Sequence, residues 1–204
     1  MQLPLPQAFD LRSAEILDKV RQAFAAKGFD GASMQDLARA AGMSVGNFYR
    51  YFPSKSAIIT GLIEKDLADI QRDFQAILGG PHPMHVLRQV MSLRLDEHLE
   101  NQEGVLWSEI EAASRRNPEM AAASQAMETA VVDCLLQVFA AELGLTLQAA
   151  RDRFATEAAF VLVLFKSAVC LNCAGNVDKG ELKSMIIRTI HQTLDTVTHS
   201  APKA

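Results

Sequence analysis

Ser44, Asn47, Tyr49, Arg50, Tyr51 and Lys55 crowd hydrogen-bonding groups into one short stretch, and no nucleophile–base pair or metal-ligand pair accompanies them. Such a set suits the recognition of a polar partner rather than bond-making. Lys55 stands beside a predicted helix start, where backbone amides already favour anions, so a nucleic-acid phosphate is a natural counterpart. Val45, Phe48 and Phe52 are the apolar residues expected to hold this short segment to its domain.

Two helices must position these side chains. Ser33 is a good N-cap, and Asp36 three residues later completes a capping box and sits well on the helix dipole. Leu37, Ala38 and Ala41 form one small apolar face, and Gly42 supplies a left-handed stop. Ser44 caps a second short helix after a very tight connection, and Pro53 ends it. Ser54 caps the next. Two helices joined by so short an elbow cross steeply, which is the helix-turn-helix arrangement, whose second helix enters a DNA major groove.

Residues 33–55 read S-M-Q-D-L-A-R-A-A-G-M-S-V-G-N-F-Y-R-Y-F-P-S-K. The stretch resembles the DNA-binding domain of the TetR family of bacterial transcriptional regulators, over about residues 16–62. Glycine, tyrosine, phenylalanine and lysine fall at the family's spacing. Tyr51 stands where many members carry histidine, and Ile58 or Ile59 where leucine is usual. The resemblance implies that Gly46 allows close approach to DNA, that Tyr49 and Lys55 contact phosphates, and that Asn47 and Arg50 face the groove. The expected DNA-facing set is therefore Ser33, Ser44, Val45, Gly46, Asn47, Tyr49, Arg50, Tyr51 and Lys55.

Around this head the pattern is helical throughout. Ile16, Leu17, Val20 and Phe24 recur at helical spacing in a first helix capped by Ser13 and ended by Gly28, with Phe29 folding back. Phe24, Phe29, Leu37, Phe48 and Phe52 should share one small core. A helix over about 54–78 carries a continuous apolar stripe and links the head to the rest, until Gly79-Gly80-Pro81 breaks it. Asp66, Asp69 and Asp73 on that helix read as a solvated face rather than a metal site. Further helices are expected over 84–101, 104–116, 119–142, 147–174 and 181–198. Residues 1–12, with Pro4 and Pro6, read as an irregular arm, 175–180 as a turn and 200–204 as a frayed tail. The expected fold is all-α: a three-helix helix-turn-helix domain over 1–60, then a larger C-terminal helical ligand-binding and dimerisation domain over 61–204.

The net charge of −4 fits a specific reader of DNA once it is divided. Residues 1–60 hold seven basic and five acidic side chains, and the remaining 144 hold 13 and 19. A locally basic head on an acidic body favours a small DNA footprint over non-specific coating. No uncharged apolar run reaches the roughly 18 residues of a membrane span, and no signal sequence is evident, so a cytoplasmic address is expected.

Residues 158–174 are apolar all round their helix, and Leu182, Met185, Ile186, Ile190, Leu194 and Val197 stripe the last one. Two such helices from each of two chains would form a four-helix homodimer interface, placing two heads on a palindromic operator. The resemblance implies the same pairing, through about 147–174 and 181–198. It also implies a small-molecule effector in the second domain. Met91, Leu95, His98, Trp107, Ile110, Met127, Val131, Phe160 and Leu164 are candidate lining residues; their apolar, Met-rich character suits a lipophilic ligand. Glu109 or Glu111 would favour a cation.

An enzyme is not expected. The five histidines form no ligand pair, and no G-x-S-x-G, phosphate loop or dinucleotide fingerprint occurs, so neither cofactor nor metal is implied. Cys134, Cys170 and Cys173 suit small buried hydrophobes better than a redox switch, despite the C-x-x-C. The leading expectation is a homodimeric, ligand-released repressor. The alternative is an all-helical ligand-binding or protein-interaction module without operator-specific DNA binding.

Overall fold

Local signals set the helix limits. In the computed structural model, which describes residues 11–100, 103–170 and 177–200, the described residues form nine α-helices and no strand. They are α1 (Leu11–Gly31), α2 (Met34–Ala40), α3 (Val45–Tyr51), α4 (Lys55–Leu78), α5 (Pro83–Glu100), α6 (Glu103–Ser114), α7 (Pro118–Leu143), α8 (Leu147–Val169) and α9 (Lys179–His199). The chain divides into two compact units. Residues 1–10 of the expected arm, 171–174 of the expected 147–174 helix with Cys173 among them, 175–176 of the expected turn and 201–204 of the tail lie outside the described residues.

The first unit extends to Asp69 and also takes in Val105–Met127. Its core joins Ile16, Leu17, Val20 and Phe24 of α1, Leu37 and Ala38 of α2, Phe48 of α3 and Ile58, Ile59, Leu62 and Ile63 of α4. Leu106, Ile110 and Ala113 of α6 and Met120 of α7 are buried in the same cluster. That is why this unit is larger than the 1–60 domain expected from sequence: α6 and the start of α7 bury their apolar face there. The helix of α1 begins at Leu11 rather than at a Ser13 cap. Its regular turns stop at Gly28, whose φ of 71° and ψ of 170° break the ladder. Phe29 then folds back and stacks on Phe24, with ring centroids 6.1 Å apart.

The acidic row of α4 is not simply solvated. Within the first unit Asp66 pairs with Arg21, and Lys65 bridges Asp18 at 3.0 Å and Asp69 at 3.5 Å. In the second unit Arg94 of α5 grips Asp73 through two hydrogen bonds of 2.7 and 2.8 Å. These pairs tie α4 to α1 and to α5, and no metal-ligating cluster occurs among the described residues.

The second unit runs over Ile70–Gly104 and Glu128–Ala204. Gly144 ends α7, and Thr146 caps α8 by accepting from the Ala149 amide at 3.2 Å. Asp178 caps α9 through the amides of Gly180 and Glu181. Phe154, Ala158 and Val161 of α8 and Ile190, Leu194 and Val197 of α9 are buried, with Phe139 of α7 edge-on to Phe154. Arg88 fastens α5 to α9 by donating to the His191 carbonyl and to Asp195, each at 2.8 Å. No single helix among the described residues is long and apolar enough to cross a membrane.

Candidate nucleic-acid interface

The helix-turn-helix is built by caps. Ser33 Oγ accepts from the Asp36 amide at 3.1 Å, and Asp36 Oδ2 accepts from the Ser33 amide at 3.1 Å. Lys27, 2.7 Å from Asp36, and Ser33 hold the Asp36 carboxyl well below the usual carboxylate range. Gly42 turns the chain with a φ of 69°, and Ser44 Oγ accepts from the Asn47 amide at 3.4 Å to start α3. Both serine hydroxyls are thus helix caps first, although both residues are exposed.

A single side chain anchors α3. Phe48 is fully buried, with its ring centroid 6.0 Å from that of Phe52. Every other residue of the helix is exposed, including Tyr49 at 46% and Tyr51 at 37%. Val45, expected to help hold the helix, is exposed as well, at 38%. Among the described residues, the side chains of Asn47, Tyr49, Arg50 and Tyr51 make no hydrogen bond or ion pair within the chain. A seven-residue helix that commits one residue to the core and presents a cation, an amide and two phenols is available to an outside partner.

Residues 16–62 match the family described as bacterial regulatory proteins, tetR family. The chain carries the TetR-family N-terminal domain. Among curated proteins, the HTH-type transcriptional regulator UidR of Escherichia coli strain K12 is 32% identical over 108 residues, 52% of this chain. The chain spans about half the length of that relative, 54%. Solved structures extend the likeness in fold. Salmonella enterica GusR superposes with a TM-score of 0.70 at 23% identity over 98% of both chains. FadR of Bacillus subtilis, solved with stearoyl-CoA, gives 0.66 at 15% identity, over 93% of this chain and 99% of its own. The TetR-type architecture, with an N-terminal helix-turn-helix and a helical C-terminal part, therefore holds as a fold for nearly the whole chain.

Lys55 does not share the availability of the α3 side chains. Its ammonium donates to the carbonyls of Phe29 at 2.7 Å and Asp30 at 3.2 Å and sits 4.8 Å from the Phe29 ring centroid. Glu109 is engaged too: its Oε2 accepts from the Phe29 amide at 3.0 Å, so it is not the free anion expected for a cationic ligand.

The nine candidate lining residues fall in both compact units. Ile110 is in the core of the first unit, with Trp107 and Met127 packed against it. Met91, Leu95, His98, Val131, Phe160 and Leu164 belong to the second unit, where Leu95 is fully buried and His98 meets Phe165 edge-on at 5.9 Å. Phe160 is 46% exposed, which removes it from any interior lining in the single chain. Cys134 is buried, and that burial, with Asp133 nearby, pushes its thiol up to about 11, so it stays an uncharged packing group at neutral pH.

Proposed function

We propose that this protein is a cytoplasmic, sequence-specific transcriptional repressor. It binds a palindromic operator as a homodimer and leaves it when a small lipophilic effector binds. The observation that carries this reading is α3: one buried anchor, and exposed, partnerless Asn47, Tyr49, Arg50 and Tyr51 on a capped helix of a helix-turn-helix. Asn47 and Arg50 read base edges, while Tyr49 and Tyr51 meet the flanking backbone, with Ser33, Ser44, Val45 and Gly46 at the DNA-facing surface.

Dimerisation is supported by the outer face of the second unit. Thr156, Phe160, Val163 and Ser167 follow one another at helical spacing along α8, all exposed, with Val163 at 56%. Met185 on α9 is exposed at 51%. Large apolar side chains on two neighbouring helices, outside the chain's own core, suit a second copy of the same surface. A lipophilic effector is supported by the Met and Leu content of the second unit and by the stearoyl-CoA held by FadR.

Selection of bound duplexes from a random pool tests the reading. It predicts an enriched palindrome with two half-sites about a helical turn or so apart. Absence of enrichment at low and at moderate salt would favour the module without operator-specific binding.

A further inference from the structure

The helix-turn-helix is a loop of chain that leaves α1 near Phe29 and returns at the start of α4. Only Phe52, Pro53 and Ser54 separate α3 from Lys55, and only Ala32 and Ser33 separate the end of α1 from α2. Lys55 joins the two ends. Its ammonium spends two of its three N–H groups on the Phe29 and Asp30 carbonyls and rests over the Phe29 ring. Carbonyls left over where the regular turns of a helix break, as those of α1 do at Gly28, are where a cation gains from the helix dipole. The same Phe29 peptide is held from its other side by Glu109 of α6, which accepts its N–H. Gly28 allows that approach: a Cβ there would stand 3.2 Å from Glu109 Oε2, at a φ of 71°. Nearby, Asn117 donates to Ser56 Oγ at 2.8 Å and Arg116 lies 3.3 Å from Asp30. All of these groups belong to the first unit.

We propose that Lys55 and Glu109 are positioning residues that clasp the two ends of the helix-turn-helix through the Phe29 peptide, so that Lys55 serves DNA binding by setting the pose of α3 and not by touching a phosphate. This rests on the operator-binding reading above. The two functions of Lys55 differ in their salt signature. A lysine that neutralises a phosphate releases counterions and contributes about 0.9 to the slope of log K against log salt. A lysine that holds two carbonyls of its own chain contributes nothing to that slope.

The test is operator binding at several salt concentrations by the wild-type protein, Lys55→Met, Glu109→Ala and Glu109→Gln, with a thermal melt of each. Lys55→Met and Glu109→Ala each weaken binding on the order of 10-fold, the equivalent of one charge-assisted hydrogen bond, with the salt slope unchanged. Glu109→Gln, which keeps an acceptor for the Phe29 N–H, binds like wild type. A slope lower by about 0.9 per subunit in Lys55→Met would establish a phosphate contact and overturn the clasp. Wild-type affinity in Lys55→Met and Glu109→Ala, whatever their melting temperatures, would also overturn it, since the pair would then be structural only. If Lys55→Met does not fold, Glu109→Ala against Glu109→Gln decides by itself. A wild-type protein without an operator would instead sink the operator reading, before the variants are compared.

Discussion

Gly46→Ala should make the protein more stable and a worse DNA binder. Gly46 is the second residue of α3, is exposed, and a Cβ built on it meets nothing within 4 Å. In the free chain the substitution therefore adds no clash. It removes backbone freedom from the unfolded state and gives α3 a better helix former, together stabilising by up to about 1 kcal/mol. For a unit of this size that raises the melting temperature by about 4–8 °C at most. In the proposed DNA complex the same methyl group would meet the operator, because Gly46 lies between the Ser44 cap and Asn47, at the end of α3 assigned to the groove. A steric cost of about 1.4 kcal/mol would weaken binding 10-fold. The assay is a thermal melt beside an operator titration on the same preparation. Opposite signs support the account. An unchanged affinity together with a raised melting temperature would refute the close approach, and a lowered melting temperature would refute the open space around Gly46.

Phe48→Ala should cost about 3–5 kcal/mol, the range for a buried phenylalanine, and abolish operator binding; urea unfolding followed with the DNA assay checks both. Below pH 4 the first unit should lose stability through Asp36. Lys27 and Ser33 depress its folded value, so its contribution is complete above the unfolded carboxylate range and falls as the pH drops through it. Melts of wild type and Asp36→Asn across pH 2–7 measure this, the variant showing a flatter acid limb. Phe160→Glu combined with Val163→Glu should yield monomers by sedimentation while leaving the helical signal intact, since both side chains lie outside the chain's own core.

Much of this fold is legible in the sequence because helix ends are written locally. Ser33 with Asp36, Ser44, Pro53, Gly144 and Thr146 each act within about four residues, and each marks a real boundary. Phe24, Leu37, Phe48 and Phe52 likewise announce the head's core by spacing alone. Long-range pairing is not written that way. The bonds that Lys55 makes to the Phe29 and Asp30 carbonyls, 26 and 25 positions away, cannot be read from its place at a helix start, and Glu109 reads as a spare anion until Phe29 reaches it across 80. Asp66 and Asp73 look solvated because Arg21 and Arg94 lie on other helices. Trp107, Ile110 and Met127 carry the apolar character of a ligand lining, yet the same character serves the core under the head. Composition cannot separate those roles, since an apolar side chain buries equally well against either.

The central claim is that α3 reads base sequence. Duplex selection run side by side with the wild-type protein and Arg50→Ala tests it most directly. The account predicts that the wild type enriches a palindrome and that Arg50→Ala loses preference at symmetric positions in both half-sites, about 1–3 kcal/mol of discrimination at each, while the other positions persist. An identical enriched sequence in both proteins, or none in either, would contradict it.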